Sequence, residues 1–221
     1  MTENACRLPL ALWGRRELLL YGAFPLTLAA LLLGLGGRWA PWGLAPGLAG
    51  LAVCWFFRDP RRRIPAGSGL YVSPADGRVV EVESVPDYGF LGGPAVRIGI
   101  FLSVLDVHLN RAPADARVVG KQYRPGKHRD ARNPLSQQEN ESQWIGFEEP
   151  NGARFAVRQV SGAVARRLVC AVVEGDFLER GQRLGMIKFG SRTELVLPLG
   201  VGVKVKVGDR VKAGETVLAV R

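Results

Sequence analysis

The stretch Val201-Gly202-Val203-Lys204-Val205-Lys206-Val207-Gly208-Asp209-Arg210-Val211 alternates apolar with small or charged residues and runs on into Gly214-Glu215-Thr216-Val217-Leu218-Ala219. A period of two turns one face of an extended chain toward a core and the other toward water, so the stretch reads as strands joined by glycine turns. Working back along the chain, the same reading holds for Gly77 to Glu83, Val96 to Leu102, Arg154 to Val160 and Leu195 to Leu197. Helical signal is sparse in this part. Gly162 to Arg167 reads as a short helix, and Lys127 to Ser142, polar and broken by Pro134, as a long surface loop, either a lid or a segment without fixed structure. The expectation is a mainly β (α+β) soluble domain.

The amino-terminal part follows another rule. Leu18 to Gly37 and Trp39 to Phe57 carry no charge and are separated only by Arg38. At about 1.5 Å per helical residue, each is near the length that crosses a hydrocarbon core of roughly 30 Å, although Pro41 and Pro46 make the second limb marginal or re-entrant. Gly36, Gly37 and Pro41 would form the bend of a helical hairpin, with Trp39 and Trp42 at the far interface. Arg15 and Arg16 precede the first limb and Arg58, Arg61, Arg62 and Arg63 follow the second, which places both ends in the cytoplasm. The expected organisation is an N-terminal segment 1–17, a transmembrane or re-entrant hairpin 18–57, a basic linker 58–69 and a catalytic domain 70–221.

Net charge is +10 and the pI about 10.2, which suits nucleic acid or an anionic lipid surface. The aromatic residues lie mostly in the apolar runs and are not interleaved with a basic soluble face, so anionic membrane lipids are the expected partners and nucleic acid is not. Cys6, Cys54 and Cys170 are scattered, without the spacing of a zinc site or a disulfide framework, and no metal is expected.

Chemistry concentrates in Lys188-Phe189-Gly190-Ser191-Arg192-Thr193-Glu194-Leu195. A glycine before the serine leaves the Gly190 carbonyl unshielded and its peptide free to adopt unusual geometry, as an attack by Ser191 Oγ on its own chain would need. Such an attack also needs a general base and a donor for the oxyanion. His108 and His128 are the histidines of the chain. His108 follows an apolar strand, between Val107 and Leu109, and is the better candidate by setting. His128, between Lys127 and Arg129, reads as a solvated surface residue. Asp76 in Pro74-Ala75-Asp76-Gly77 is either a turn-forming aspartate or a carboxylate that orients a histidine.

Ser73-Pro74-Ala75-Asp76-Gly77, Phe101-Leu102-Ser103 with Val107-His108-Leu109-Asn110-Arg111-Ala112-Pro113, Gln159 through Arg167, and Gly175-Asp176-Phe177 leading into the Gly-Ser pair stand in the order of one family. The chain resembles the phosphatidylserine decarboxylase proenzymes, in their short, archaeal-type form. The resemblance implies self-cleavage between Gly190 and Ser191, with Ser191 becoming a pyruvoyl group that forms a Schiff base with the substrate amine and accepts the electrons released with carbon dioxide. It implies phosphatidylserine as substrate, phosphatidylethanolamine as product, and two cleaved chains that remain a heterodimer at the cytoplasmic face of the cell membrane, with a homo-oligomer left open.

Asp76 then matches the acidic member of the self-cleavage constellation, and Arg111, Arg166 and Arg167 are candidates for the lipid phosphate. Larger members of the family carry two histidines three apart where this chain has His108 and Arg111. Either His108 serves both cleavage and decarboxylation, or Asp76 activates Ser191 more directly and Arg111 stabilises charge; the first is preferred. The carboxy-terminal stretch resembles the hammerhead turns of biotinyl and lipoyl carrier domains without their tip lysine, which implies barrel-sandwich-like architecture and not their function. The alternatives are a membrane-tethered serine hydrolase, although Gly-x-Ser-x-Gly is absent around Ser191, another pyruvoyl decarboxylase, or a membrane adaptor with a lipoyl-like barrel.

Overall fold

The computed structural model describes residues 10–130, 133, 135–163, 167–188 and 191–221. Contacts divide the chain between Arg61 and Arg62 into a helical unit and a β unit.

In the helical unit, α1 (Arg15–Leu35) is a continuous helix of mean hydropathy 2.1, long and apolar enough to cross a membrane. Pro25 lacks an N–H and crowds the preceding turn, and the helix widens there into a π segment over Leu18–Ala23. A glycine-containing bend leads to α2 (Leu44–Phe56), whose 13 residues reach only about 20 Å and fall short of a full crossing. Gly43, Gly47 and Gly50 face α1. A Cβ on Gly50 would lie 2.7 Å from Leu26 Cγ and 2.9 Å from the Gly22 carbonyl oxygen, so bare backbone is what lets the two helices close.

The β unit comprises β1 (Leu70–Val72), β2 (Gly77–Tyr88), β3 (Gly93–Leu102), β4 (Leu109–Arg111), β5 (Ala116–Arg124), the short helix α3 (Ser136–Glu139), β6 (Ser142–Glu148), β7 (Arg154–Val160), β8 (Arg167–Cys170), β9 (Phe177–Leu178), β10 (Arg183–Lys188), β11 (Ser191–Pro198), β12 (Gly202–Val203), β13 (Arg210–Val211) and β14 (Val217–Val220). Three antiparallel sheets result: a curled eight-stranded one in the order β13-β2-β3-β11-β7-β6-β5-β9, and two three-stranded ones, β1-β14-β12 and β4-β10-β8. The mainly β reading of the sequence holds. Arg167 opens a strand where the sequence suggests the end of a short helix, and Val164 to Arg166 lie outside the described residues.

Alternation explains why β11 is buried on both faces. Leu195 and Leu197 join Val79, Ile98, Ile100, Val157, Ile145 and Phe147 in the core. Arg192 and Glu194 point the other way into an ion-pair network with Glu81, Arg97 and Arg158. The long polar segment before β6 packs over that network. The Gln137 carbonyl accepts from Arg158 Nη2 at 2.6 Å, while Asn140 Nδ2 donates to the carbonyls of Arg129 and Ser161, each at 2.8 Å.

Candidate active site

Ser191 opens β11 on its core face, two residues before Thr193, and is fully buried. Its Oγ has no hydrogen-bond partner among the described residues. A buried hydroxyl left without a partner costs about 1–3 kcal/mol and is retained where its reactivity matters. Gly190, the other half of the expected cleavage site, lies outside the described residues.

The segment His108 to Arg111 is bound on both sides of that site. Ahead of it, Ile187 N–H on β10 donates to the His108 carbonyl at 3.1 Å. Beyond it, Asn110 Nδ2 donates to Thr193 Oγ1 on β11 at 3.0 Å. Gln159 Nε2 on β7 donates to Asn110 Oδ1 at 2.8 Å, completing a buried polar chain from β7 through β4 to β11. Gly185 leaves room for it, since a Cβ there would stand 2.2 Å from the Val169 carbonyl oxygen and 3.0 Å from Gln159 Nε2.

His108 is fully buried, and its Nδ1 lies 2.9 Å from the Asp106 carbonyl oxygen. A carbonyl can only accept, so Nδ1 carries the proton and Nε2 is the basic nitrogen of the neutral ring. Asp106 is itself fixed, its Oδ2 accepting from Ser103 N–H at 2.8 Å and Ser103 Oγ at 2.7 Å.

Asp76 sits in the turn that Gly77 makes possible. Gly77 has φ +146°, and a Cβ there would be 2.1 Å from the Phe101 carbonyl oxygen. The Asp76 carboxylate accepts both its oxygens' bonds from Arg62 Nη2, at 2.9 and 2.8 Å, and one from Ala213 N–H at 2.8 Å. Its link to the His108 segment runs through the neighbouring Pro74 carbonyl, which accepts from Arg111 N–H at 3.0 Å and from Asn110 Nδ2 at 3.3 Å.

Arg111 is buried and its Nη1 donates to the Gly181 carbonyl at 2.9 Å. Arg166 lies outside the described residues, and Arg167 pairs in register with Lys188 at the end of β8 and β10. His128, which the sequence suggests is solvated, is exposed, with Nδ1 3.3 Å from Ser161 Oγ and 3.7 Å from Glu141 Oε2. Among the described residues no cluster of three His, Cys, Asp or Glu side chains is placed to hold a metal ion. Asn110, Thr193 and Gln159 escape a sequence reading of the site; their signal is a polar residue on the inward register of an otherwise apolar strand.

The sequence model of the phosphatidylserine decarboxylase family matches residues 50–219. A phosphatidylserine decarboxylase proenzyme of Symbiobacterium thermophilum is 45% identical over 206 residues, covering 92% of this chain and 96% of its own. One from Rhodopirellula baltica is 45% identical over 218 residues, 96% of this chain and 88% of its own. One from Pelobacter propionicus is 48% identical over 164 residues, 74% of each chain. With a buried serine that has no partner among the described residues, bracketed by the histidine segment, and a likeness that runs nearly end to end, the chain belongs to the phosphatidylserine decarboxylase family, whose members are carboxy-lyases.

Proposed function

We propose that this chain is a membrane-bound proenzyme that cuts itself between Gly190 and Ser191 and then converts phosphatidylserine to phosphatidylethanolamine and carbon dioxide. The observation that carries the reading is Ser191 Oγ, buried and without a partner among the described residues, in a chain of this family.

In the cut, His108 Nε2 takes the proton of Ser191 Oγ, which attacks the Gly190 carbonyl carbon. The Gly190–Ser191 C–N bond breaks, leaving an ester on Oγ and a free amino group on residue 191. Loss of the residue 191 Cα proton expels the Gly190 carboxylate and leaves dehydroalanine, whose hydrolysis releases ammonia and leaves the pyruvoyl end. The residues present fit such an end. It would replace an unpartnered hydroxyl and stay on a strand held by the Asn110–Thr193 bond. The pyruvoyl group supplies a ketone for the substrate amine and an electron sink for decarboxylation, in place of an added cofactor.

His108 is assigned both steps, as base in the cut and as the acid that returns a proton to the substrate Cα once carbon dioxide has left. Asp76, neutralised by Arg62, acts as a positioning residue that fixes the turn whose Pro74 carbonyl holds β4. Arg166 and Arg167 are assigned to the lipid phosphate, while Arg111, engaged with Gly181, holds β4 in place. The hairpin 18–57 and the basic linker 58–69 keep the domain 70–221 at the cytoplasmic face among anionic lipids. The two cleaved chains remain a heterodimer.

Intact-protein mass spectrometry of wild type beside Ser191→Ala tests the reading. A carboxy-terminal fragment starting at residue 191, with the mass of a pyruvoyl end and absent from the variant, is the expected result. A folded wild-type protein that stays uncut in its membrane or detergent refutes it.

A further inference from the structure

Ser191 has a polar neighbour on the next strand. β7 and β11 pair Gln159 with Thr193 and Val160 with Arg192, so the following position on the same register sets Ser161 opposite Ser191. The Ser161 N–H turns away from β11 and donates to the Glu141 carbonyl at 2.9 Å. The Ser161–Ser191 pair is therefore of the kind without backbone bonds between its members, in which side chains stand closest, with about 5 Å between Cβ atoms. Both side chains lie on the face that carries Gln159 and Thr193, two residues along from each, which are joined through Asn110. The residue opposite Ser191 on its other side is Leu102, which is apolar. Ser161 is thus the polar partner that the sheet sets beside Ser191, and it is fully buried.

Its hydroxyl is lightly held. Oγ donates to the Lys127 carbonyl at 3.5 Å and lies 3.3 Å from His128 Nδ1, both longer than a well-made bond. Glu141, next in the same row, has Oε2 at 3.7 Å from that Nδ1, while its Oε1 accepts from the Tyr123 hydroxyl at 2.9 Å. A carboxylate there favours a proton on Nδ1, which makes His128 the donor to Ser161 Oγ and leaves the serine's own proton free to turn toward residue 191. Hydroxyl pairs bond across strands at this spacing.

We propose that Ser161 is a further catalytic residue of the cut and that His128 is the positioning residue that holds it. The inference rests on the self-cleavage reading and concerns its second step, in which residue 191 carries an ester on Oγ. His108 Nε2, having passed its first proton to the new amino group, takes the Cα proton. The electron pair forms the Cα–Cβ double bond, the Cβ–Oγ bond breaks, and Oγ departs as an oxygen of the Gly190 carboxylate. Negative charge collects on that oxygen, and the Ser161 hydroxyl donates to it as the bond breaks. The earlier attack places its charge on the former carbonyl oxygen of Gly190 instead. Loss of Ser161 therefore slows elimination more than attack, and the ester accumulates.

The test follows processing of the full chain in detergent by intact-protein mass spectrometry, for wild type, Ser161→Ala and Ser161→Thr. Hydroxylamine, added to the folded protein, cuts an ester and spares an amide. Before it is added, wild type should show the fragment beginning at residue 191 with the mass of a pyruvoyl end. Ser161→Ala should form that fragment at least about tenfold more slowly, and hydroxylamine should release from it the same stretch with a free serine amino end. Ser161→Thr, which keeps the hydroxyl, should process within about threefold of wild type. Pyruvoyl formation at the wild-type rate in Ser161→Ala, or slow formation without any hydroxylamine-sensitive protein, refutes the assignment.

His128→Leu keeps the test open should Ser161→Ala fail to fold. It leaves the hydroxyl present but unheld and should also collect ester, while His128→Asn, whose amide falls where Nδ1 stood, should restore elimination. A His128→Leu protein that processes as wild type does overturns the pairing. A wild type that stays uncut and yields nothing to hydroxylamine sinks the self-cleavage reading itself, a result distinct from a variant that cuts normally.

Discussion

Gly99→Ala should destabilise the β unit through a residue on the neighbouring strand. A Cβ at position 99 would lie 2.3 Å from Arg192 Nη2 and 2.7 Å from its Cζ, where about 3.5 Å is the comfortable approach, so the guanidinium must retreat by roughly 1 Å. It has nowhere free to go. Arg192 is 5% exposed, its Nε donates to Glu194 Oε1 at 2.9 Å, and its Nη2 makes an ion-pair contact with Glu81 Oε2 at 2.9 Å. Displacement should cost about 2 kcal/mol, within the usual range for overpacking. Arg192→Leu should cost about 3–5 kcal/mol, because Glu194, 1% exposed, would be left with Arg158 at 3.5 Å as its remaining ion-pair partner among the described residues.

The double variant should cost less than the sum by about 1–2 kcal/mol, since the new methyl has room once the guanidinium is gone. Thermal unfolding in detergent, in a Ser191→Ala background so that a single uncut chain unfolds, should show about 4–8 °C for Gly99→Ala at roughly 2–4 °C per kcal/mol. A neutral Gly99→Ala, or strict additivity in the double variant, would refute the reasoning. The acid side offers a second reading of the same contact. Burial alone would raise the Glu81 carboxyl, but Arg192 and Arg97 outweigh it and hold it below its ordinary 4.5. Its stabilisation is present above about pH 4.5 and is lost as pH falls through the lower folded value, and Arg192→Leu should move that loss to higher pH.

Ser191→Ala itself should be no less stable than a wild type held uncut, and up to about 1 kcal/mol more stable, because it removes a buried hydroxyl without a partner among the described residues; urea denaturation against uncut wild-type chain, or against a His108→Gln protein that the proposed mechanism would leave uncut, measures this. Asn110→Leu should cost about 1–3 kcal/mol and slow the appearance of the fragment beginning at residue 191, since it severs the chain from Gln159 to Thr193. Normal processing in a folded Asn110→Leu protein would remove that residue from the positioning of β11. Burial, then the hydrogen bond to Glu149, push the Tyr71 hydroxyl above its ordinary 10.0. The stability it contributes is complete below about pH 10 and lost as pH rises toward the folded value, so alkaline unfolding should flatten in Tyr71→Phe.

Strands were legible in the sequence where alternation is clean. Arg154 to Val160 is β7 as read, and Val96 to Leu102 lies within β3. β5 and β6 are harder to see. Arg117, Lys121, Gln122 and Arg124 make β5 look like a polar surface segment, and its pairing with β6 becomes evident only in three dimensions. The described part of the segment before β6 is tied to the rest of the unit by Asn140, whose partners Arg129 and Ser161 are distant in sequence, and by the Gln137 carbonyl that accepts from Arg158. In the site, the Gly-Ser pair and His108 announce themselves by chemical type. Asn110, Thr193 and Gln159 do not, because an isolated polar residue in a strand looks the same whether it faces water or a buried partner. Asp76 shows the converse: a turn aspartate is legible, but Arg62 as its counterion follows only from the way the linker folds back.

The placement of β11 has a temporal consequence. It lies between β3 and β7, its successors β13 and β14 pair with β2 and β1, and the final Arg221 forms ion pairs with Glu149. The cut proposed at its first residue would thus free a chain end in the middle of a finished sheet and not at its margin. Folding would have to precede that cut, and the piece it makes could be neither released nor exchanged without dismantling the whole unit. Under that proposal each molecule would make its reactive end once, in place. A molecule whose reactive end was damaged could not be refitted with a fresh short chain, so capacity would be restored only by synthesising a new precursor.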